Sequence, residues 1–350
     1  MLNEKEYFDI LDSCDSFEDY VKKCHLLIEN EITKLFPTTD NQSLNFYLYE
    51  PLRANVLNFG KCTRPLTCLL GCALFSKDVE KALRSACAIE MFQTAALIHD
   101  DIADRAKTRR SAPCLHVSQG ENIALNAGDF ALSLVDKIVL DDSSINEKTK
   151  IDILKQIYET KARTIEGQAL DLGWVRDKKY DLEIDDYVFM ATNKTAYYTI
   201  AKPLVIGAII ANSKIDEIEK LEEFGLKIGL AFQIQDDILN VDITKKNKSK
   251  DFALDIKEGK RTLILIHALK KLDCEAKNEL LEIINKENKD EESIDSALSL
   301  LERSGSIEYA KKFAKSLVDE SKEILLSNFN ENKARDILIS MCNWCTNRIF

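Results

Sequence analysis

The chain has 350 residues, of which 45% are apolar and 31% are charged, with 11 glycines and 5 prolines. So few glycines and prolines argue against a turn-rich all-β fold, and the apolar fraction is sufficient to bury a large core. The formal net charge of −11 argues against general binding to nucleic acid.

Helical patterns follow one another along the chain, and no alternation of short strands and turns interrupts them. The predicted helices lie, in chain order, at 4–35, 64–76, 78–103, 122–140, 146–172, 184–211 and 215–242. Breaks are predicted at 37–43, at the turn 110–114 and at the basic polar loop 243–251. No composition shift marks a second domain, so we expect an all-α protein with a single domain over 1–350.

The ten cysteines are scattered, and the N-terminus MLNEKEYFDI lacks the basic and apolar pattern of a signal peptide. Unpaired thiols in a reducing cytoplasm are the natural interpretation, so we expect a cytoplasmic protein. Cys342 and Cys345 form one CxxC, for which a packed helix end is favoured over a metal or redox site. The most apolar segment is interrupted by Lys202 and Pro203, and no transmembrane segment is expected.

Two carboxylate clusters stand at the ends of apolar helical runs. In LIHDDIAD the cluster is Asp100, Asp101 and Asp104, and in AFQIQDDILN it is Asp236 and Asp237, with Asn240 following. Residues four apart lie on one face of a helix, so Asp100 and Asp104 point the same way. A single cluster of this kind would suit an ordinary solvated helix end. Two of them indicate carboxylates presented to a cavity.

Crowded carboxylates raise one another's pKa unless a cation neutralises them. Mg²⁺ usually takes one or two carboxylates and completes its coordination with water and substrate phosphates. Two such clusters therefore suggest a diphosphate bridged to the protein by Mg²⁺.

A diphosphate also needs lysine and arginine partners, and the chain supplies candidates. Each alone would be read as a solvated surface charge. With the aspartates they form one set: Lys61, Arg64, Arg109, Arg110, Lys194 beside the hydroxyl of Thr195, Lys250 and Lys260.

The sequence resembles the trans-isoprenyl diphosphate synthases, or polyprenyl synthetases, over about residues 45–270. The motifs that carry the resemblance occur in the family's order: GKCTRP, LIHDDIAD with RRSAPCLH, NAGDFAL, EGQALDL, NKTAYY, AFQIQDDILN and DIKEGKRTL. The resemblance implies a fold of the isoprenoid synthase type, with antiparallel helices around a central active-site cavity. Residues 271–350 would form a C-terminal helical part, and a homodimer is expected.

The resemblance also implies a role for each matching residue. Asp100, Asp104 and Asp236 would bind Mg²⁺, three ions per active site, with Asp101 and Asp237 in support. The allylic diphosphate would be held by Arg109, Lys194 and Lys260. Isopentenyl diphosphate would be held by Lys61, Arg64, Gln93 and Arg110. Thr195 and Gln233 would lie near the developing carbocation, and Lys250 would belong to a closing loop.

The implied reaction is a head-to-tail condensation of isopentenyl diphosphate with an allylic diphosphate. In this family the residues just before the first motif form the floor of a tunnel for the hydrocarbon tail. Here Ala95 and Ala96 leave room, and Phe92, about one turn (5.4 Å) deeper, is the candidate floor. That favours a product of twenty carbons, geranylgeranyl diphosphate. If Phe92 packs between helices instead, the product is longer.

Three residues depart from the family's pattern, and alternative functions stay open. Asn240 stands where the family usually has the last aspartate of the second motif, which raises the alternative of a non-catalytic synthase subunit. Ser111 and Ser249 replace glycines of the pattern. A terpene cyclase or a head-to-head synthase would share the first aspartate motif, but neither would need the second set of diphosphate-binding residues.

Overall fold

The structure is a computed structural model, and it describes residues 4–245 and 252–346. These residues are overwhelmingly helical, which confirms the predicted all-α fold. The strands among them form one small hairpin, β1 Thr108–Arg109 and β2 Ala112–Pro113, in which Thr108 pairs with Pro113 and Arg109 with Ala112.

The α-helices of the described residues are, in chain order, α1 Glu4–Asp12, α2 Phe17–Ile32, α3 Gln42–Leu44, α4 Glu50–Leu57, α5 Thr63–Ala73, α6 Leu83–Ala103, α7 Leu115–Gln119, α8 Glu121–Leu140, α9 Glu147–Arg176, α10 Ile184–Ala191, α11 Lys202–Ile210, α12 Ile215–Asn240, α13 Leu254–Glu258, α14 Leu263–Lys271, α15 Cys274–Asn285, α16 Glu291–Arg303, α17 Ser306–Asn328 and α18 Lys333–Thr346. Three-residue or four-residue 3₁₀ turns lie at Thr33–Leu35, Val79–Ala82 and Ile243–Lys245. Two stretches, Asn45–Tyr49 and Thr192–Ala201, are π-helices.

The chain divides into two compact units. The first unit comprises the described residues up to Glu159, with Lys202–Glu222 and Phe329–Met341. The second unit comprises Thr160–Ala201, Glu223–Asn328 and the described residues from Cys342 onward. A single domain over 1–350 stays a prediction.

Two predicted helices differ in detail from those observed. The predicted helix 4–35 is broken between α1 and α2, because the Ser16 side chain accepts a hydrogen bond from the Asp19 backbone N–H and caps a new helix. The predicted helix 184–211 consists of three successive elements: α10, the π-helix 192–201 and α11. Each π turn admits one more residue than an α turn.

Close helix packing builds the core of the first unit. Gly71 on α5 faces the backbone of Leu204 on α11, and Gly207 on α11 faces the backbone of Cys68, so that a Cβ at either glycine would collide. Helix α6 packs along α8, where Gly128 leaves room for the ring of His99. Because α6 is buried on most of its surface, its apolar run is nearly continuous and ends only at the aspartates.

In the second unit, α12 supports the π-helix 192–201. Gly225 and Gly229 of α12 lie against Ala201 and Ala196, and a Cβ at Gly229 would stand 2.7 Å from the Ala196 Cα. Contacts of α14 with α10, α16 and α17 complete this part of the core. The two glycines therefore allow the backbone of α12 to pack directly against the π-helix, which carries Lys194 and Thr195.

All ten cysteines are unpaired, and Cys274 is the exposed one while every other cysteine is buried. Burial raises the pKa of the Cys24 and Cys72 thiols to about 12. Cys342 and Cys345 are both buried on α18, in agreement with a packed helix end. No helix of the described residues has the length and apolarity needed to cross a membrane. The cytoplasmic location stays a prediction.

Candidate active site

The first aspartate cluster lies at the C-terminal end of α6, in the first unit. Asp104 is the residue that ends the helix, and Asp100 and Asp104 are both partly exposed. Asp101 is buried and accepts two hydrogen bonds from Arg109, at 2.8 Å from Nε and 2.5 Å from Nη2. The charge of Asp101 is therefore balanced by Arg109, and the metal-binding prediction rests on Asp100 and Asp104.

The β-hairpin places the two arginines that follow the cluster. Arg110 and Ser111 at its tip both have positive φ angles, of 51° and 64°. This tight reversal turns Arg109 back toward α6 and Arg110 toward the segment before α5. The two guanidinium groups therefore contact different partners, although Arg109 and Arg110 are adjacent in the chain.

Arg110 meets the residues of the first cationic motif, FGKCTRP. A Cβ at Gly60 would lie 2.7 Å from Arg110 Nη2, and Arg110 Nη1 donates a hydrogen bond to the Asn58 carbonyl. A side chain at position 60 would therefore displace the guanidinium group of Arg110 from its present position. The structure brings Arg110 next to the segment that leads into α5, the helix that carries Arg64, and the role of both arginines in substrate binding stays a prediction.

Glu90 of α6 is a residue that the sequence analysis missed. Burial raises the pKa of this carboxyl, and the charges of Arg64 and Arg110 pull the pKa in the opposite direction. It lies three residues before Gln93, whose buried Oε1 accepts no hydrogen bond from the described residues. A charged residue inside the apolar run CAIEMFQT was the signal that could have identified Glu90.

The predicted tunnel-floor residues lie on the buried part of α6. Ala95 and Met91 are fully buried, Phe92 is 7% exposed and Ala96 is partly exposed. Phe92 and Ala96 are four residues apart and share a face of the helix. This spacing agrees with a floor one turn below Ala96, and the chain-length role itself stays a prediction.

The second unit contains a cavity of about 100 Å³. Its lining comes from α9, α10, the π-helix, α12, α13 and the segment after α13: Asp171, Tyr187, Met190, Ala191, Lys194, Thr195, Gln233, Asp237, Asp255, Lys260, Arg261 and Thr262. Five of the residues predicted from the sequence are therefore together: Lys194, Thr195, Gln233, Asp237 and Lys260.

Two lysines of this cavity converge on one carboxylate. Lys194 Nζ lies 2.5 Å and Lys260 Nζ 3.3 Å from the same oxygen, Oδ2, of Asp171. Burial would raise the pKa of Asp171, but the two ammonium groups hold it below its usual value. Asp171 belongs to the quoted motif EGQALDL, but the sequence analysis assigned it no role because its partners are far away in the chain.

A chain of hydrogen bonds connects the other polar groups of the cavity. Tyr187 Oη donates to Asp237 Oδ2 at 2.7 Å, and Gln233 Nε2 donates to Asp237 Oδ1 at 2.9 Å. Thr195 Oγ1 donates to Gln233 Oε1 at 2.8 Å. Burial raises the pKa of Asp237 to about 7, against the effect of these hydrogen bonds, and burial beside Asp237 raises that of Asp255.

The turn after α13 sets the position of Lys260. Gly259 ends the helix with a φ angle of 70°, which a residue without a Cβ adopts readily. The next residue but one, Arg261, donates from Nε to the Lys179 carbonyl at 2.7 Å and lies over the Tyr180 ring at 4.1 Å. Lys260 therefore lies between two residues with set positions, Gly259 at the helix end and Arg261 with its contacts to Lys179 and Tyr180.

Asn240, the departure from the second aspartate motif, has a defined partner. Its side-chain oxygen accepts a hydrogen bond from the Asp255 backbone N–H at 3.0 Å, and its carbonyl accepts one from Ala253 N–H at 2.8 Å. It therefore ties the end of α12 to the start of α13. Asp236 is partly exposed on α12, and the predicted Lys250 lies outside the described residues.

The carboxylates of the site suit Mg²⁺. Among the residues that the structure describes, no three His, Cys, Asp or Glu side chains are grouped so as to hold a metal ion by themselves. Mg²⁺ does not require such a group, since one or two carboxylates with water and phosphate oxygens suffice. Asp100 and Asp104, two hard oxygen donors one helical turn apart, fit this requirement.

Comparison with known proteins gives the family. The polyprenyl synthetase model matches residues 45–301. A short chain isoprenyl diphosphate synthase from Methanocaldococcus jannaschii is 37% identical over 265 residues, which are 75% of this chain and 78% of the relative.

Two solved structures extend the similarity to the fold. A geranylgeranyl pyrophosphate synthetase from Pyrococcus horikoshii Ot3 is 32% identical, with a TM-score of 0.86 over 95% of this chain and 98% of the other. A geranylgeranyl pyrophosphate synthase from Corynebacterium glutamicum, complexed with isoprenyl diphosphate and magnesium, is 26% identical, with a TM-score of 0.81 over 99% of this chain and 100% of the other.

The names of the curated relatives agree on the reaction class and differ in the product, with geranylgeranyl and geranylfarnesyl diphosphate synthases among them. The resemblance found in the sequence is thus confirmed, and the protein is a trans-prenyltransferase enzyme. The chain belongs to the polyprenyl synthetase family.

Proposed function

We propose that the protein condenses isopentenyl diphosphate with allylic diphosphates, head to tail and with Mg²⁺, and that its main product is geranylgeranyl diphosphate. The observation that carries this proposal is the convergence of Lys194 and Lys260 on one oxygen of Asp171. Two ammonium groups that meet on a carboxylate form a site for an anion. A diphosphate carries more charge and more acceptor oxygens than a carboxylate, so it can take over both lysines.

Ionisation of the allylic substrate is the first step of the proposed reaction. Lys194 and Lys260 bind oxygens of its diphosphate, and the resemblance assigns Arg109 the same role. Fixed cations of this kind stabilise the negative charge that grows on the leaving group. Mg²⁺, for which Asp100, Asp104 and Asp236 are the proposed ligands, would add Lewis-acid stabilisation of the same charge. The number of ions, three, stays a prediction.

The second substrate is proposed to bind in the first unit. Lys61, Arg64 and Arg110 supply cations for the diphosphate of isopentenyl diphosphate, and Gln93 supplies an amide. The double bond of this substrate attacks the allylic cation, and a proton then leaves with the departing diphosphate as its acceptor. Thr195 and Gln233 face the developing positive charge with oxygen atoms. No nucleophilic side chain takes part.

The proposed product length depends on α6. Ala95 and Ala96 carry only methyl groups, and the first bulky side chain on the same face as Ala96 is that of Phe92. A floor about one turn lower admits about one isoprene unit more than a floor at Ala96. The geranylgeranyl names of similar structures support twenty carbons. A longer-chain product is the second candidate, favoured if Phe92 packs between helices.

A homodimer is part of the proposal. In the first unit, α8 and the adjoining part of α9 expose large apolar side chains: Leu125 at 41%, Leu140 at 54%, Ile151 at 54% and Tyr158 at 74%. We propose that the second copy covers these exposed apolar side chains. Light scattering on the purified protein, with Tyr158→Glu as the disruptive variant, tests the assignment.

The experiment that tests the function uses purified protein, Mg²⁺, labelled isopentenyl diphosphate and, separately, allylic diphosphates of five, ten and fifteen carbons. Product length is read by mass spectrometry after dephosphorylation. We expect twenty carbons, and longer chains from Phe92→Ala. Longer chains from the native enzyme would keep the reaction and reject Phe92 as the floor.

Matched variants identify the site. Lys194→Ala should lower kcat/KM for the allylic substrate at least about a hundredfold, because it removes a charge from the leaving group. Lys227→Ala, which removes a lysine paired with Glu320 elsewhere in the second unit, should leave it unchanged. Absence of product with every primer would reject the synthase. Mg²⁺-dependent binding of a bisphosphonate without turnover would then indicate a non-catalytic subunit.

A further inference from the structure

Tyr187 is a buried tyrosine that no step of the proposed reaction uses. It lies on α10, is 1% exposed and lines the cavity of the second unit. Its hydroxyl is 2.7 Å from Asp237 Oδ2, and a phenol beside a carboxylate acts as the donor. Burying a tyrosine hydroxyl is favourable only when it has such a partner.

The other oxygen of Asp237 accepts from an amide. Gln233 Nε2 donates to Oδ1 at 2.9 Å, so each carboxylate oxygen holds one donor. Asp237 is 4% exposed, and with a donor on each side its plane cannot rotate without losing a hydrogen bond. Tyr187 is therefore one of two groups that fix the orientation of this carboxylate.

The fixed carboxylate determines which way the Gln233 amide faces. Because Gln233 Nε2 donates to Oδ1 of Asp237, the NH₂ group points toward Asp237 and the amide oxygen points away from it. The oxygen then accepts from Thr195 Oγ1 at 2.8 Å. A threonine hydroxyl has one hydrogen. When that hydrogen is given to Gln233, only oxygen lone pairs remain for the cavity, and lone pairs are what stabilises a positive charge.

We propose that Tyr187 is a positioning residue, which fixes Asp237, through it Gln233, and through both the direction in which Thr195 presents its oxygen to the developing carbocation. The inference rests on the proposed function and deepens it. It assigns Asp237 to the orientation of Gln233, with Asp236 as the metal-binding member of the second motif.

Tyr187→Phe tests the inference, since it removes one oxygen and keeps the ring. A matched control exists in Tyr7→Phe, because Tyr7 is equally buried and its hydroxyl bonds only to the Tyr20 hydroxyl, at 2.8 Å, among the described contacts of the first unit. We expect Tyr187→Phe to lower kcat at least about tenfold, with both KM values within about twofold of the native ones. Tyr7→Phe should leave kcat unchanged even if its unfolding free energy falls similarly.

A double-mutant cycle distinguishes positioning from general damage. In a Thr195→Val background there is no hydroxyl to direct, so adding Tyr187→Phe should change kcat by less than about twofold. In Thr195→Ser, which keeps the hydroxyl, the tenfold loss should return. An equal loss in the Val background, or a native kcat for Tyr187→Phe, would overturn the inference.

A readout that needs no activity separates this inference from the proposed function. In a crystal structure of Tyr187→Phe we expect the Thr195 Oγ1 to Gln233 Oε1 distance to exceed 3.5 Å, against 2.8 Å in the native protein. An unchanged distance would reject the positioning role. Failure of the native enzyme to turn over would reject the proposed function and would leave this structural comparison to decide on Tyr187.

Discussion

The side-chain oxygen of Asn240 accepts a hydrogen bond from the backbone N–H of Asp255, 3.0 Å away and 15 residues later in the chain. Helix α13 begins after Ala253, which has a φ angle of 56° and no side-chain cap of its own. Asn240 therefore supplies the acceptor that an N-cap residue usually provides. The departure from the aspartate motif preserves this acceptor and adds no charge beside Asp237 and Asp255.

Replacing Asn240 tests this assignment. Asn240→Ala leaves a helix-terminal N–H without its acceptor, so we expect the free energy of unfolding to fall by about 1 kcal/mol and kcat to fall several-fold. Asn240→Asp keeps the acceptor oxygen and should retain most of the stability. Urea unfolding and steady-state kinetics measure both. Equal stability of native protein and Asn240→Ala would reject the capping role.

Gly167 provides a second prediction. It lies on α9 where a Cβ would collide with the backbone of Lys194 in the π-helix. Gly167→Ala should displace Lys194, lower kcat/KM for the allylic diphosphate more than about tenfold and destabilise the protein by about 1–3 kcal/mol.

The same helix supplies the control. Gly173 is also on α9, but a Cβ there would meet no atom within 4 Å. Gly173→Ala should raise the unfolding free energy by up to about 1 kcal/mol, through helix propensity alone, with native kinetics. Similar effects of the two substitutions would show that the contact with Lys194 is unimportant.

The ion cluster of Asp171 predicts a pH dependence of stability. Its pKa is lowered in the folded protein relative to the ordinary value of 3.8, so the unfolded chain binds more protons between those two pKa values. The stabilisation is fully present above the unfolded pKa and is lost as the pH falls through the folded pKa. Asp171→Asn should therefore cost about 1–3 kcal/mol at pH 7 and progressively less below about pH 4.

Urea unfolding of both proteins between pH 7 and pH 3 measures this difference. Asp185→Asn, at an exposed position of α10 in the same unit, is the control and should show a small difference at every pH. A difference for Asp171→Asn that stays constant down to pH 3 would mean that the two lysines do not interact with its charge.

Lys202 makes the fourth prediction, in the first unit. Its side chain is 3% exposed, and its Nζ lies 2.8 Å from Glu159, 2.5 Å from Glu222 and 2.8 Å from Gln156 Oε1. Lys202→Met would leave two partly buried carboxylates facing each other. Because both glutamates are partly exposed, we expect a loss of about 1–3 kcal/mol, below the cost for a fully buried pair.

The comparison for Lys202 is Lys227→Met, which removes an ion pair with Glu320 whose side chains are 29% and 51% exposed, against 3% for Lys202. Exposed pairs contribute less than about 1 kcal/mol. Thermal unfolding of the two variants ranks them directly. An equal loss in both would indicate that burial of Lys202 adds nothing to its ion pairs.

Local patterns predicted the helix that carries the first aspartate cluster. The apolar run that leads to Asp100 predicted a helix ending at residue 103, and α6 ends there. The roles of Lys194, Thr195 and Gln233 came from the resemblance, and the structure places all three around one cavity. Their catalytic roles remain proposals.

Other features lie beyond local patterns. An apolar run reads the same in an α-helix and in a π-helix, so the π-helix 192–201 could not be distinguished within the predicted helix 184–211. Tyr187 and Asp237 are 50 residues apart, and Lys260 and Asp171 are 89 apart. Such pairs arise from tertiary packing, and side-chain periodicity holds no information about them.

The distribution of thiols has a practical consequence. A maleimide reacts with an accessible thiolate, and nine of the ten cysteines are buried, which leaves Cys274 at the start of α15 as the exposed one. One fluorophore or spin label should therefore attach to the native protein without any substitution. Such a probe would report on the second unit during turnover while the sequence stays as it is.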